Sequence, residues 1–301
     1  MTRIKTSIIL CTYRNPFLLK GCLKSLLKQS SNPNHYEIVV VDNNSQDNTA
    51  EIVHSLNKYS KNIFYYLEQE TGLSIARNTG IRQSRGEIVA FIDDDAIAHP
   101  NWITEIEKCY SDESVWSAGG KVVLKWVEKK PAWLTENMYP NLSYTNLGDE
   151  IMALKWPDHL IGTNISFRKN IFGRIGFFNE DLGRKGKLLI GNEETEIQER
   201  IHLAGGRIIY NPAAVVEHLV PPARMTKKYF LARAYGSGMS AAVIELKNAH
   251  HPKNLYIRMA FFRMIKLLIG FIKNIFDPAK RFKYMKNMAN NLGYLFFLIR
   301  N

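Results

Sequence analysis

The chain has 301 residues, 46% of them apolar, which is enough to bury a large core and excludes a disordered polymer. Its net charge of +12 is confined to one end: residues 221–301 carry 15 Lys/Arg against Glu245 and Asp277, leaving 25 bases and 26 acids for residues 1–220. Without a zinc-finger, helix-turn-helix or RNA-binding signature beside it, that charge argues against nucleic acid as a partner.

The N-terminal "MTRIKTSIILCTYRN" has an apolar run too short for a signal-peptide core, so a cytoplasmic protein is expected. Three cysteines (Cys11, Cys22, Cys109) without CxxC spacing point to neither a disulfide framework nor a zinc site, which suits a reducing compartment. The runs "TSIILCTY", "YEIVVVDN", "NIFYYLE" and "EIVAFIDDD" are continuously apolar, as in strands covered on both faces. Helices are predicted between them over residues 17–28, 49–57 and 74–83, with Ser45 and Asp47 in capping positions before the second. This alternation predicts an open, mostly parallel α/β sheet flanked by helices, whose ligands bind beyond the carboxyl ends of the strands. Those ends carry Thr12-Tyr13-Arg14-Asn15, Asp42-Asn43-Asn44 and Asp93-Asp94-Asp95.

After Trp126, residues 128–157 are rich in Pro, Asn and aromatics without periodicity, and a long loop is expected. "GTNISFRKNIFGRIGFF" then predicts strand and helix, "NEETEIQERIHLAG" a helix ended by Gly205, and "GRIIYNPAAVVEH" a strand ending at His218. The tail from Arg224 is predicted helical, giving a catalytic domain over residues 1–223 and a basic helical region over 224–301. Helical projection of residues 255–276 groups Ile257, Phe261, Met264, Leu268, Phe271 and Ile275 opposite Arg263, Lys266 and Lys273. The segment is amphipathic, and four bases within it (Arg258, Arg263, Lys266, Lys273) exclude a bilayer-spanning role.

Three aspartates at the end of an apolar strand repel one another unless a cation is shared. Mg²⁺ or Mn²⁺, held by one or two carboxylates and completed by water and phosphate oxygens, is the usual arrangement for diphosphate substrates. An acidic turn, or a cap for the helix near Asn101, is the plain alternative. Asp42 could accept hydrogen bonds from a base or ribose, or merely start an Asx turn, and Arg77 could reach a base or phosphate, or merely pack. No GxGxxG follows the first strand, so the dehydrogenase dinucleotide fingerprint is missing.

Taken in order, "SIILCTYRN", "IVVVDNNSQDNT", "GLSIARNTGI", "GEIVAFIDDDA", "GTNISFRK", "IGFFNEDLG" and "NEETEIQERIHLAGGRIIYNPAAVVEH" resemble the inverting family-2 glycosyltransferases, over about residues 6–218. The resemblance implies the GT-A fold and a bacterial glycan-biosynthesis type of enzyme. It assigns Thr12, Asp42 and Arg77 to the nucleotide base, Asp93 to the ribose, and Asp95 to the metal that bridges the diphosphate, with Asp94 between them. It matches Glu193-Glu194 to the pair that opens the late helix and supplies the catalytic base, here Glu194 where the family carries Asp. It matches His218 to a histidine that completes the metal site. Tyr13, Arg14 and Asn44 are then expected on the donor side, with Gly162, Thr163 and Asn164 facing the donor sugar and Trp133 or Trp156 stacking on an acceptor sugar unless they are core.

The implied reaction moves a sugar from a UDP-, dTDP- or GDP-sugar to a hydroxyl of a glycan or lipid-linked acceptor, in one inverting displacement with Mn²⁺ or Mg²⁺ as cofactor. An acidic helix start that complements the helix dipole is the plain alternative for Glu194. A silent nucleotide-sugar-binding protein of the same fold and a sugar nucleotidyltransferase are the rival functions. For the tail, docking on an anionic inner leaflet and packing on protein are both open, and a homo-oligomer is compatible with the sequence.

Overall fold

The computed structural model describes residues 3–58, 60–186, 188–248 and 251–300. The chain divides into two units, the first built from residues 1–127, 137–180 and 193–220, the second from 128–136, 181–192 and 221–301.

The first unit opens with β1 (Thr6–Thr12), α1 (Pro16–Leu26), β2 (Tyr36–Asp42), α2 (Thr49–Asn57), β3 (Ile63–Leu67), α3 (Leu73–Gln83) and β4 (Ile88–Asp93). It continues with β5 (Ala96–Ala98), α4 (Trp102–Lys108), β6 (Val115–Trp126), β7 (Met152–Ala153), β8 (Ile165–Arg168), α5 (Phe172–Ile175), α6 (Glu193–Leu203) and β9 (Arg207–Val220). The strands form one mixed sheet in the order β3-β2-β1-β4-β8-β6-β9-β5, with β7 paired to β9. Strand alternation divides the core between its two faces. Ile8, Leu10, Ile38, Val40, Ala90 and Ile92 pack with residues of α1 and α4, while Ile9, Val39, Val41, Val89 and Phe91 pack with residues of α3 and α6.

The four predicted parallel strands and the three helices between them are present; the cap position of α2 is Asn48, without a side-chain bond, while Asp47 accepts the Thr49 N–H at 2.9 Å in the turn before it. The sheet is less parallel than expected, because β8 runs antiparallel to both β4 and β6. After β6 the chain enters the irregular stretch before residue 162, which holds a short 3-10 segment and β7 but no α-helix. β8 starts at the edge of the sheet where β6 ends and runs back the other way beside it.

The second unit is helical: α7 (Lys227–Lys247), α8 (Lys253–Lys273) and α9 (Pro278–Arg300). Thr226 caps α7 by accepting the Tyr229 N–H. α7 and α9 cross at glycines: a Cβ on Gly238 would stand 1.8 Å from the Asn290 carbonyl oxygen, and one on Gly293 2.0 Å from that of Tyr235. Such backbone approach tolerates no side chain. Ala242, Tyr256, Ala260, Tyr294, Leu295 and Leu298 close the core among the three helices. No helix among the described residues is long and apolar enough to cross a membrane.

Candidate active site

Strand register assembles a row of polar side chains along the carboxyl edge of the first unit's sheet. β1 pairs in parallel with β2 so that Thr12 stands beside Asp42, and with β4 so that Cys11 stands beside Asp93. Thr12 is therefore next to Asp94, and its Oγ1 donates to Asp94 Oδ2 at 2.7 Å while Asn15 Nδ2 donates to Oδ1 at 2.8 Å. The antiparallel register of β4 with β8 sets Phe91 against Ile165. Continued two residues further, it brings Thr163 to Asp93, and Thr163 Oγ1 donates to Asp93 Oδ2 at 2.6 Å. Ala96 pairs with His218 across β5 and β9, which puts His218 Nε2 3.3 Å from Asp95 Oδ1, both side chains buried.

The three aspartates thus have different surroundings. Burial and then the charge of Asp95 push the Asp94 carboxyl up to about 7, against the downward pull of its bonds from Thr12 and Asn15. Such crowding of carboxylates favours a shared cation. The pair that could hold one is Asp95 with His218, an oxygen and a nitrogen donor side by side. Among the described residues no group of three or more His, Cys, Asp and Glu has metal-site geometry, so diphosphate oxygens and water would have to complete the shell. That donor set fits Mn²⁺ better than Mg²⁺, which prefers an all-oxygen octahedron.

Asp42 is buried, and both its oxygens accept hydrogen bonds, Oδ1 from the Ser45 N–H and Oδ2 from the Tyr65 hydroxyl, each at 2.9 Å. Burial, then the bond to Asp42, raises the Tyr65 hydroxyl above its usual range. Neighbouring turns are stitched together. Arg14 and Asn44 adopt positive φ (52° and 62°), the Arg14 N–H donates to Ser45 Oγ, and Asn44 Nδ2 donates to the Gln69 carbonyl. Asn43, to which the sequence assigns no role, donates to the Glu70 carbonyl and accepts the Gly72 N–H, each at 2.7 Å, fixing the start of α3. Tyr13 lies under the Arg14 guanidinium, 5.2 Å from its ring centroid.

Arg77 is only 3% exposed. Its guanidinium lies over the rings of Phe91 and Phe178, donates to Glu193 Oε1 at 2.7 Å and stands 3.8 Å from Asp93 Oδ1. Burial opposes its charge, but Glu193 and then Asp93 outweigh it and raise its pKa. A Cβ on Gly162 would meet its Nη2 at 2.5 Å, so the bare backbone there makes room for the guanidinium. Arg77 is thus drawn into the site, though enclosed rather than offered at the surface. Glu194 follows Glu193 in the first turn of α6, and its Oε2 is buried without a hydrogen-bond partner among the described residues. The Cys11 thiol is pushed up to about 12, mainly by burial, which keeps it protonated near neutral pH.

Two expected sugar contacts fall elsewhere. The Asn164 amide is committed to the scaffold: Nδ2 donates to the carbonyls of Lys121 and Ala214, and Oδ1 accepts from Trp102 Nε1. Trp133 packs edge-on against Phe230 and Phe282 within the second unit, the core alternative foreseen for it. Trp156 is exposed and stacks on His202, ring centroids 6.4 Å apart.

Residues 7–176, more than half of the chain, match the sequence model of glycosyl transferase family 2. The chain is 27% identical over 285 residues to the glucosyl-dolichyl phosphate glucuronosyltransferase of Haloferax volcanii, covering 92% of this chain and 88% of that protein. It is 25% identical to the succinoglycan biosynthesis protein ExoM of Rhizobium meliloti, covering 80% of this chain and 75% of that protein. In fold it resembles a mannosyltransferase of Pyrobaculum calidifontis solved with GDP-mannose and Mn²⁺, with a TM-score of 0.61 and 19% identity over all of this chain and 75% of the other. By the sequence match the chain belongs to glycosyl transferase family 2, and by its fold it has the GT-A architecture.

Proposed function

We propose that the protein transfers a sugar from a nucleoside-diphosphate sugar to a hydroxyl of a glycan or lipid-linked acceptor, with inversion at C1 and with a divalent cation. The observation that carries this reading is the contact of Asp95 with His218 beside Asp93 and Asp94, at the strand ends where open α/β sheets bind ligands. The Mn²⁺ and GDP-mannose of the Pyrobaculum structure support the cation and the donor class, and the dolichyl-linked substrate in the Haloferax relative's name supports a lipid-linked acceptor.

Asp95 and His218 would hold Mn²⁺ or Mg²⁺, which supplies Lewis-acid stabilisation of charge on the departing diphosphate. Thr12, Asp42 and the turns bearing Tyr13, Arg14 and Asn44 form the nucleotide side, Asp93 takes the ribose, and the backbone at Gly162 and Thr163 borders the donor sugar. Arg77 serves by orienting Asp93 and Glu193. Glu194 Oε2 accepts the proton of the acceptor hydroxyl as that oxygen bonds to C1, while the C1–O bond to phosphate breaks and its electron pair leaves with the nucleoside diphosphate. A single displacement of this kind inverts the anomeric centre.

The test is incubation of the full chain with Mn²⁺ and UDP-, dTDP- and GDP-sugars, following release of nucleoside diphosphate and the product's anomeric configuration by NMR. Release that EDTA abolishes, with an inverted product, is expected. Retention of configuration, or no release from any donor with glycan and lipid-linked acceptors, would refute the reading.

A further inference from the structure

In the second unit, α8 has two apolar faces. Tyr256 and Ala260 are buried, and Ile257, Met264, Leu267 and Phe271, every three or four residues, continue that face half-buried. A second stripe runs the length of the helix in open solvent: Met259, Phe262, Ile265, Ile269, Ile272 and, just past its end, Phe276, which is 97% exposed. The helix is about 31 Å long at 1.5 Å per residue, so this is a continuous apolar ridge, not the scattered exposure normal for a protein surface.

The side chains around the ridge say what covers it. From Leu255 to Lys273 the only polar side chains are Tyr256 and four bases, Arg258, Arg263, Lys266 and Lys273, and no acid occurs between Glu245 and Asp277. All four bases are exposed, with Arg263, Lys266 and Lys273 along one flank of the ridge. A second copy is a poor match, because a two-fold pairing through this face would align like charges with no acid in the segment to offset them. Hydrocarbon bordered by phosphate is a good one.

We propose that α8 lies in the plane of an anionic bilayer surface, its ridge inserted at the headgroup–acyl boundary and its bases on the lipid phosphates. It rests on the transferase reading only for the purpose it gives this docking, which is to hold the enzyme where a lipid-linked acceptor is presented.

The test is co-sedimentation of the full chain with vesicles of phosphatidylcholine alone or with 30% phosphatidylglycerol, for the wild type, Phe262→Glu, Ile269→Glu and the triple charge reversal R263E/K266E/K273E. All are surface substitutions, and circular dichroism checks folding. The wild type should partition onto anionic vesicles at least about tenfold more strongly than onto neutral ones, less so at 0.5 M salt. Each glutamate variant should lose at least about tenfold, and the triple reversal on the order of 100-fold. Equal binding to both vesicles, no binding, or full binding by both glutamate variants would overturn the proposal, as would a wild-type dimer in gel filtration that Phe262→Glu dissociates and that ignores lipid. Nucleoside diphosphate release in detergent is measured on the same samples: its absence with vesicle binding intact removes the transferase reading alone, and the converse removes the docking alone.

Discussion

Arg77 Nη1 donates to Glu193 Oε1 at 2.7 Å, joining two buried side chains 116 positions apart in the chain. The bond ties α3 to the first turn of α6, and through it the placement of Glu194 depends on a guanidinium that also faces Asp93. Donor side and proposed base are therefore not independent parts of the site.

Replacing Arg77 by Gln removes the buried cation that faces the carboxylate of Glu193 and should cost about 3–5 kcal/mol of unfolding free energy in urea titrations, whereas R77Q/E193Q should recover part of it. A double-mutant cycle should give a coupling of at least about 1 kcal/mol, and additive losses would show that the pair does not act as a unit.

Gly162→Ala attacks the same arrangement from the other side. The added Cβ, 2.5 Å from Arg77 Nη2, must displace the guanidinium or the loop. Overpacking of this kind should lower the denaturation midpoint by about 1–3 kcal/mol equivalent. An unchanged midpoint would mean that the guanidinium is free to move.

Much of this was legible in sequence, for identifiable reasons. Strands covered on both faces leave unbroken apolar runs, so β1 to β4 and their polar ends stand out. The direction of β8 does not, since a four-residue apolar strand reads the same beside a parallel or an antiparallel neighbour. Nor do the bonds of Asn43, Tyr65 and Asn164, whose partners lie 27, 23 and 50 positions away. Helical projection of α8 found an apolar face but could not divide it: Ile257, Met264 and Phe271 pack inward, while Phe261 and Leu268 of the same projected face are exposed. Enclosure of Arg77 by Phe91 and Phe178 is likewise tertiary.

Glu194→Gln keeps the shape of the side chain and removes its basicity. Donor affinity should stay within about threefold, while kcat falls by about 10²–10⁴ and Glu194→Asp, the residue the family pattern carries, retains part of the rate. Steady-state release of nucleoside diphosphate measures both, and normal turnover by Glu194→Gln would put the base elsewhere.

Asn164→Ala removes three hydrogen bonds, two of them buried, that tie this residue to Trp102 and to the carbonyls of Lys121 and Ala214, so it should destabilise by about 2–4 kcal/mol without changing the KM for donor in the folded enzyme. A raised KM at unchanged stability would restore this amide to the donor sugar.

The most direct test of the metal-dependent donor site is isothermal titration of UDP, dTDP and GDP into the wild type and Asp95→Ala, each with Mn²⁺ and with EDTA. One nucleotide should bind the wild type at least tenfold more tightly with Mn²⁺, and Asp95→Ala should erase that difference while staying folded. Affinity indifferent to Mn²⁺, or metal dependence that survives Asp95→Ala, would contradict it.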